Sequence, residues 1–146
     1  MKKWEVEKRF EYKGYPCVIV FQIMGYRCGY VGVPKNHKYY RMSGWHDEPI
    51  CDIKCHWGLN YFESNLVGQD DTDIWWIGFD CGHAFDGKDY DACYKYFKDE
   101  EQVRYLDWMK DIDGEMYKDY PVRDIDYVVE ECKQIVDQLE EIKNGN

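Results

Sequence analysis

Along this chain apolar residues recur first at intervals of two and later at intervals of three and four. Residues 3–11 alternate loosely through Trp4, Val6 and Phe10 before Lys13-Gly14 breaks the run. That pattern predicts a half-exposed strand and a turn. YPCVIVFQIM (15–24) is β-branched and aromatic on both alternating sets, as in a strand buried on both faces. RCGYVGVP (27–34) alternates imperfectly, and its two glycines point to a bulge or the close approach of another backbone. Short turns join these three strands into an antiparallel meander. ICDIKCHWGLNYFES (50–64) reads as a further strand interrupted at Gly58, and IWWIGFDC (74–81) as a central strand with almost no polar face. Asn65 to Asp73 is a polar turn. Residues 34–49 form a loop long enough to be functional, carrying Tyr39, Tyr40 and Trp45.

After residue 86 the period changes. Val103, Leu106 and Met109 fall at helical spacing behind Asp99-Glu100-Glu101, which predicts one or two short helices within 88–118. Over 124–142, Ile125, Val128, Val129, Cys132, Ile135, Val136, Leu139 and Ile142 recur every 3.6 residues with acids opposite. Pro121 stops anything earlier, and Asp124 is placed to cap the helix. The expected fold is a single α+β domain over 1–146. An antiparallel sheet of about five strands, spanning 3–81, is packed on one face by the long C-terminal helix. The helical part, 88–142, carries the short helices inserted before it.

Composition narrows the function classes. At 146 residues the chain can bury roughly 68–70% of its unfolded surface, so its core needs neither disulfides nor a metal. Seven cysteines, and an opening MKKWEVEKRFEYKG without an apolar signal core, predict a cytoplasmic protein with reduced thiols. No apolar stretch approaches a membrane span. The net charge is −10, although residues 1–60 hold ten Lys/Arg against six acids. That balance argues against a duplex-binding face but leaves room for a small anionic ligand beside the basic half.

Where Cys, His and Asp cluster, four kinds of chemistry are open. Zinc is disfavoured: on a strand Cys51 and Cys55 stand roughly 13 Å apart, and Cys81, His83 and His56 lack a standard ligand spacing. Cys81 as a nucleophile would need His56 or His83 as base, but an inert buried thiol is the commoner case. Asp80 with Asp86 or Asp89 could do acid–base work or bind Mg²⁺, though an Asp at a strand end usually caps its own turn. The favoured reading is a binding pocket. In it His56, Asn60, Asp80 and His83 make polar contacts, Trp57 or Trp76 stacks, and Arg27, Lys38 and Arg41 supply charge. It needs no catalytic residue, metal or cofactor.

The segments CGYVGVP (28–34), HWGLNY (56–61), WWIGFDCGHAFD (75–86) and YVVEECKQIVDQL (127–139) together resemble an uncharacterised family of small phage and prophage proteins. That family shares a G-Y-V-x-V-P strand, H-G-G-L-T-like and G-F-D-C-A-H-A-G-D-like segments, and a C-terminal helix. The resemblance covers most of residues 27–140. Trp57 and Phe85 stand where the family has glycine, Asn60 replaces a threonine, and residues 88–118 look like an insertion. The resemblance implies gene context rather than mechanism: a small cytoplasmic protein acting in the host cell, similar in class to anti-defence proteins that sequester nucleotide signals. The expected function is therefore binding of a small, nucleotide-like ligand without catalysis. The alternatives are a hydrolase or metal-assisted enzyme using His56, Asp80, Cys81 and His83, and an acidic inhibitor of a host protein. A homo-oligomer is compatible with any of these.

Overall fold

A computed structural model describes residues 1–44, 48–66, 69–70 and 73–145. Trp45, in the aromatic loop, lies outside them. The strands are β1 (Trp4–Tyr12), β2 (Tyr15–Gln22), β3 (Arg27–Pro34), β4 (Tyr61–Glu63), β5 (Asn65–Leu66), β6 (Gln69–Asp70) and β7 (Ile74–Asp80). The helices are α1 (Tyr90–Tyr96), α2 (Glu100–Tyr117) and α3 (Ile125–Lys143). Five strands form one antiparallel sheet in the order β1-β2-β3-β7-β4, while β5 and β6 pair separately. The fold is α+β, as the hydrophobic periodicity predicts.

The periodicity of α3 explains its place. Asp124 accepts a hydrogen bond from the Tyr127 amide at 2.8 Å, and one face of the helix (Val128, Cys132, Ile135, Val136, Leu139) is fully buried. That face packs on Cys17, Ile19, Val31, Val33, Ile77 and Phe79 of the sheet. Each large apolar side chain withdrawn from water there contributes roughly 1.5–3 kcal/mol. Close packing also sets one glycine: a Cβ at Gly78 would lie 2.5 Å from Tyr30 Cδ1 and 2.7 Å from the Gly29 carbonyl oxygen. The β3–β7 register cannot take a side chain there without a shift. Phe21, near the end of β2, and Ile23, just beyond it, are covered by α1 and α2 instead.

Two expectations are corrected. Residues 50–60 are not a strand: Pro49–Asp52 form a short 3-10 turn, and strand pairing begins only at Tyr61. The segment is tied to α3 instead. The Lys54 amide donates to Gln138 Oε1 at 2.7 Å, and Gln138 Nε2 donates to the Lys54 carbonyl at 2.8 Å. The strand-based separation of Cys51 and Cys55 falls with it. Second, the inserted helical region is one short and one long helix, since α2 runs for 18 residues from an Asp99–Gln102 capping box. No helix among the described residues is long and apolar enough to cross a membrane.

Candidate functional site

The end of β7 is fastened through the loop that follows it. The Cys81 amide donates to the Arg27 carbonyl (2.9 Å), the Gly87 amide to that of Pro121 (2.8 Å), and the Asp89 amide to that of Gly25 (2.9 Å). Asp80 caps the turn, accepting from the Gly82 amide at 2.9 Å and from Asn60 Nδ2 at 2.6 Å. The loop is thus held to β2, β3, β4 and the approach to α3, and its side chains are placed by a rigid frame.

Asp86 is the hub. Its carboxylate is 3% exposed and accepts from the His83 amide (3.1 Å), Arg123 Nε (3.1 Å) and His56 Nε2 (2.9 Å). Because the carboxylate is the acceptor, the proton of a neutral His56 ring sits on Nε2. Nδ1 then accepts from the Tyr127 hydroxyl, 2.7 Å away. Arg123 also lies over the Tyr127 ring, 4.8 Å from its centroid. Both nitrogens of His56 are occupied, so the ring has no lone pair to offer a metal or a second proton partner.

Cys81 is 1% exposed, and burial, with Asp86 next, raises its thiol well above the ordinary cysteine range. A thiol held neutral in a packed core is a poor nucleophile. The carboxylates of the paired reading each have their own donors: Asp80 and Asp86 cap successive turns, and Asp89 caps α1 and pairs with Arg27.

The exposed part of the site is aromatic. Trp57 stacks on His83 with ring centroids 4.9 Å apart and an interplanar angle of 12°. His83 Nε2 lies 3.3 Å from Asp80 Oδ1, out of hydrogen-bonding alignment, and is buried without another partner among the described residues. Trp57 is 60% exposed and Phe85 67%. Both have left-handed backbone, φ +59° and +71°, a conformation that glycine adopts freely and bulky residues rarely do. Behind His83 and Asp86 is a cavity of about 80 Å³ bordered by Tyr26, Lys88 and Tyr117, room for about two waters. On the other side of Asn60 a cleft of about 390 Å³ is lined by Leu59, Tyr61 and Phe62.

No family model matches this chain, nor does any curated protein or solved structure. The site must therefore be read from its own geometry.

Of the residues expected at a pocket, the fold brings together His56, Trp57, Asn60, Asp80 and His83. The other four are elsewhere or already engaged. Trp76 is 3% exposed and packs with Val18, Val20, Tyr30 and Leu66 on the sheet face away from α3, so it cannot stack a ligand. Arg27 is buried in ion pairs to Glu7 (2.7 Å) and Asp89 (2.9 Å). Lys38 and Arg41 belong to the loop leaving Pro34, which pairs with Ile74, whereas Cys28 pairs with Asp80. Six residues of strand put the two ends about 20 Å apart. Arg41 there lies over Tyr40 and Trp75. Sequence reasoning left out Arg123 and Tyr127, more than 30 residues from the cluster they complete; Tyr127 opens the helical segment YVVEECKQIVDQL, but nothing local marks either as a site residue.

Proposed function

We propose that the protein binds a small planar, nucleotide-like ligand on the Trp57–His83 platform and releases it unchanged. One observation carries this reading. A bulky aromatic is kept 60% exposed on a left-handed backbone and stacked flat on a histidine beside a fixed carboxylate. Strain of about 1–3 kcal/mol per such residue persists where surrounding structure enforces it, and it clusters at binding sites. The family resembled by the central motifs has glycine at both left-handed positions, so Trp57 and Phe85 each add an aromatic surface where the backbone favours none. Asn60 also lines the neighbouring cleft, and the part of the Arg123 guanidinium not engaged by Asp86, on a side chain 28% exposed, is the cation available to an anionic group. Binding without turnover is supported by the engagement of both His56 nitrogens and by the burial of the Cys81 thiol. In this reading the protein acts in the cytoplasm of a host cell as a phage- or prophage-type sequestering factor.

Trp57→Gly separates binding from folding. Glycine relieves the left-handed backbone while the His83 stack is lost, two effects of about 1 kcal/mol and opposite sign. The melting temperature should stay within a few degrees of the parent. Base stacking on an aromatic side chain is worth about 1–3 kcal/mol, so nucleotide affinity should fall by about 10- to 100-fold. A thermal-shift screen of mono-, di- and cyclic nucleotides on both proteins reads the two effects together. If the ligand that stabilises the parent stabilises Trp57→Gly equally, the platform is not the site.

A further inference from the structure

The outer face of α2 carries an exposed apolar row apart from the Trp57–His83 platform. Trp108, Ile112 and Met116 follow one another at four-residue intervals and are 59%, 59% and 58% exposed. Residues four apart stack along one side of a helix, so these three make a continuous apolar ridge. The neighbouring row is Asp107, Asp111 and Glu115, all exposed and all acidic. Asp107 accepts from the Tyr94 hydroxyl (2.6 Å), and Glu115 pairs with Lys118 (2.6 Å). Asp111 makes no ion pair among the described residues. The opposite side of the helix (Gln102, Leu106, Met109) is buried. Apart from the contact of Trp108 with Tyr105 (ring centroids 5.9 Å apart), packing among the described residues does not account for the ridge, and single exposed apolar residues are common whereas an aligned set is not.

We propose that this face of α2 docks a basic amphipathic helix of a protein partner, its apolar stripe on Trp108–Ile112–Met116 and its Lys/Arg row on Asp107–Asp111–Glu115. The occupant follows from charge. A second copy docked in an antiparallel two-fold pair sets its acidic row against the same row, between chains that each carry a net charge of −10. A basic helix reverses that repulsion and packs its own apolar stripe against the ridge. The surface is separate from the Trp57–His83 platform and does not depend on it.

The test uses the full chain and a labelled amphipathic leucine–lysine peptide about 18 residues long, with a scrambled peptide of the same composition as control. Fluorescence anisotropy gives the affinities. Ile112→Glu, and separately the pair Asp111→Lys with Glu115→Lys, should each weaken binding at least about tenfold. These side chains are exposed, so the variants should keep the parental melting temperature. The scrambled peptide should bind at least about tenfold more weakly, and the parent's affinity should fall with salt. Trp57→Gly should bind the peptide like the parent. Equal binding of both peptides, unchanged affinity in Ile112→Glu, or a parent that is a dimer and becomes monomeric in Ile112→Glu would each overturn the proposal.

Discussion

Asp86→Ala should destabilise the protein by about 3–5 kcal/mol, the range for removing one partner from a buried ionic network. The alanine leaves three donors without an acceptor: the Arg123 guanidinium, His56 Nε2–H and the His83 amide. His56 is 9% and Asp86 3% exposed, so water reaches the freed donors only through the small cavity behind His83 and Asp86. Arg123 keeps 28% of its side chain in solvent, which favours the lower half of the range. At this chain length the melting temperature should drop by on the order of 10 °C. Asp86→Asn keeps the shape and one acceptor oxygen and should fall between the two proteins. Thermal denaturation followed by circular dichroism checks the series. A loss of less than about 1 kcal/mol for the alanine variant would mean that the hub is replaceable by solvent.

Arg27→Met should cost as much for a different reason. Glu7 has no side-chain exposure, and its two oxygens accept from Arg27 Nε (2.7 Å), Arg27 Nη2 (3.1 Å) and the Tyr96 hydroxyl (2.7 Å). Without the guanidinium this carboxylate is buried with one neutral donor. Arg27 also pairs with Asp89 and donates to the Arg123 carbonyl at 3.2 Å, so it holds α1 and the Arg123 segment to β3. We expect a loss of about 3–5 kcal/mol. The double variant, Arg27→Met with Glu7→Met, should recover much of it, because apolar residues of similar volume often replace a buried pair at little cost. Asp89, 22% exposed, can take up water in both. The double-mutant cycle in urea measures the coupling, and simple additivity of the two losses would show that the pair is not a unit.

Local periodicity made the strands at 15–22, 27–34 and 74–80 and the helix at 125–143 legible, since each buries a face that its own spacing announces. It misread α2 because that helix carries two apolar rows. Leu106 and Met109 point inward while Trp108, Ile112 and Met116 point outward, so no single stripe emerges and the segment resembles shorter pieces. Residues 50–60 imitate a strand through Cys51, Ile53 and Cys55, yet the backbone of Lys54 at their centre pairs with the side chain of Gln138, invisible in any short window. At the site, His56, Asp80 and His83 stand out as polar residues bounding apolar runs. Arg27 stood out equally and proved structural, because its partners Glu7 and Asp89 lie 20 and 62 positions away. Charge in a sequence marks a candidate; only the distant partner tells whether the charge is already spent.

The central claim is that a nucleotide-like ligand is held on Trp57 and His83 and not converted. The most direct measurement mixes the protein with the nucleotide that gives the largest thermal shift, isolates the complex, denatures it and identifies the released molecule by mass spectrometry. The account predicts the starting nucleotide intact at one per chain, with none retained by Trp57→Gly. A cleaved or otherwise altered nucleotide, or equal retention by Trp57→Gly, would contradict it.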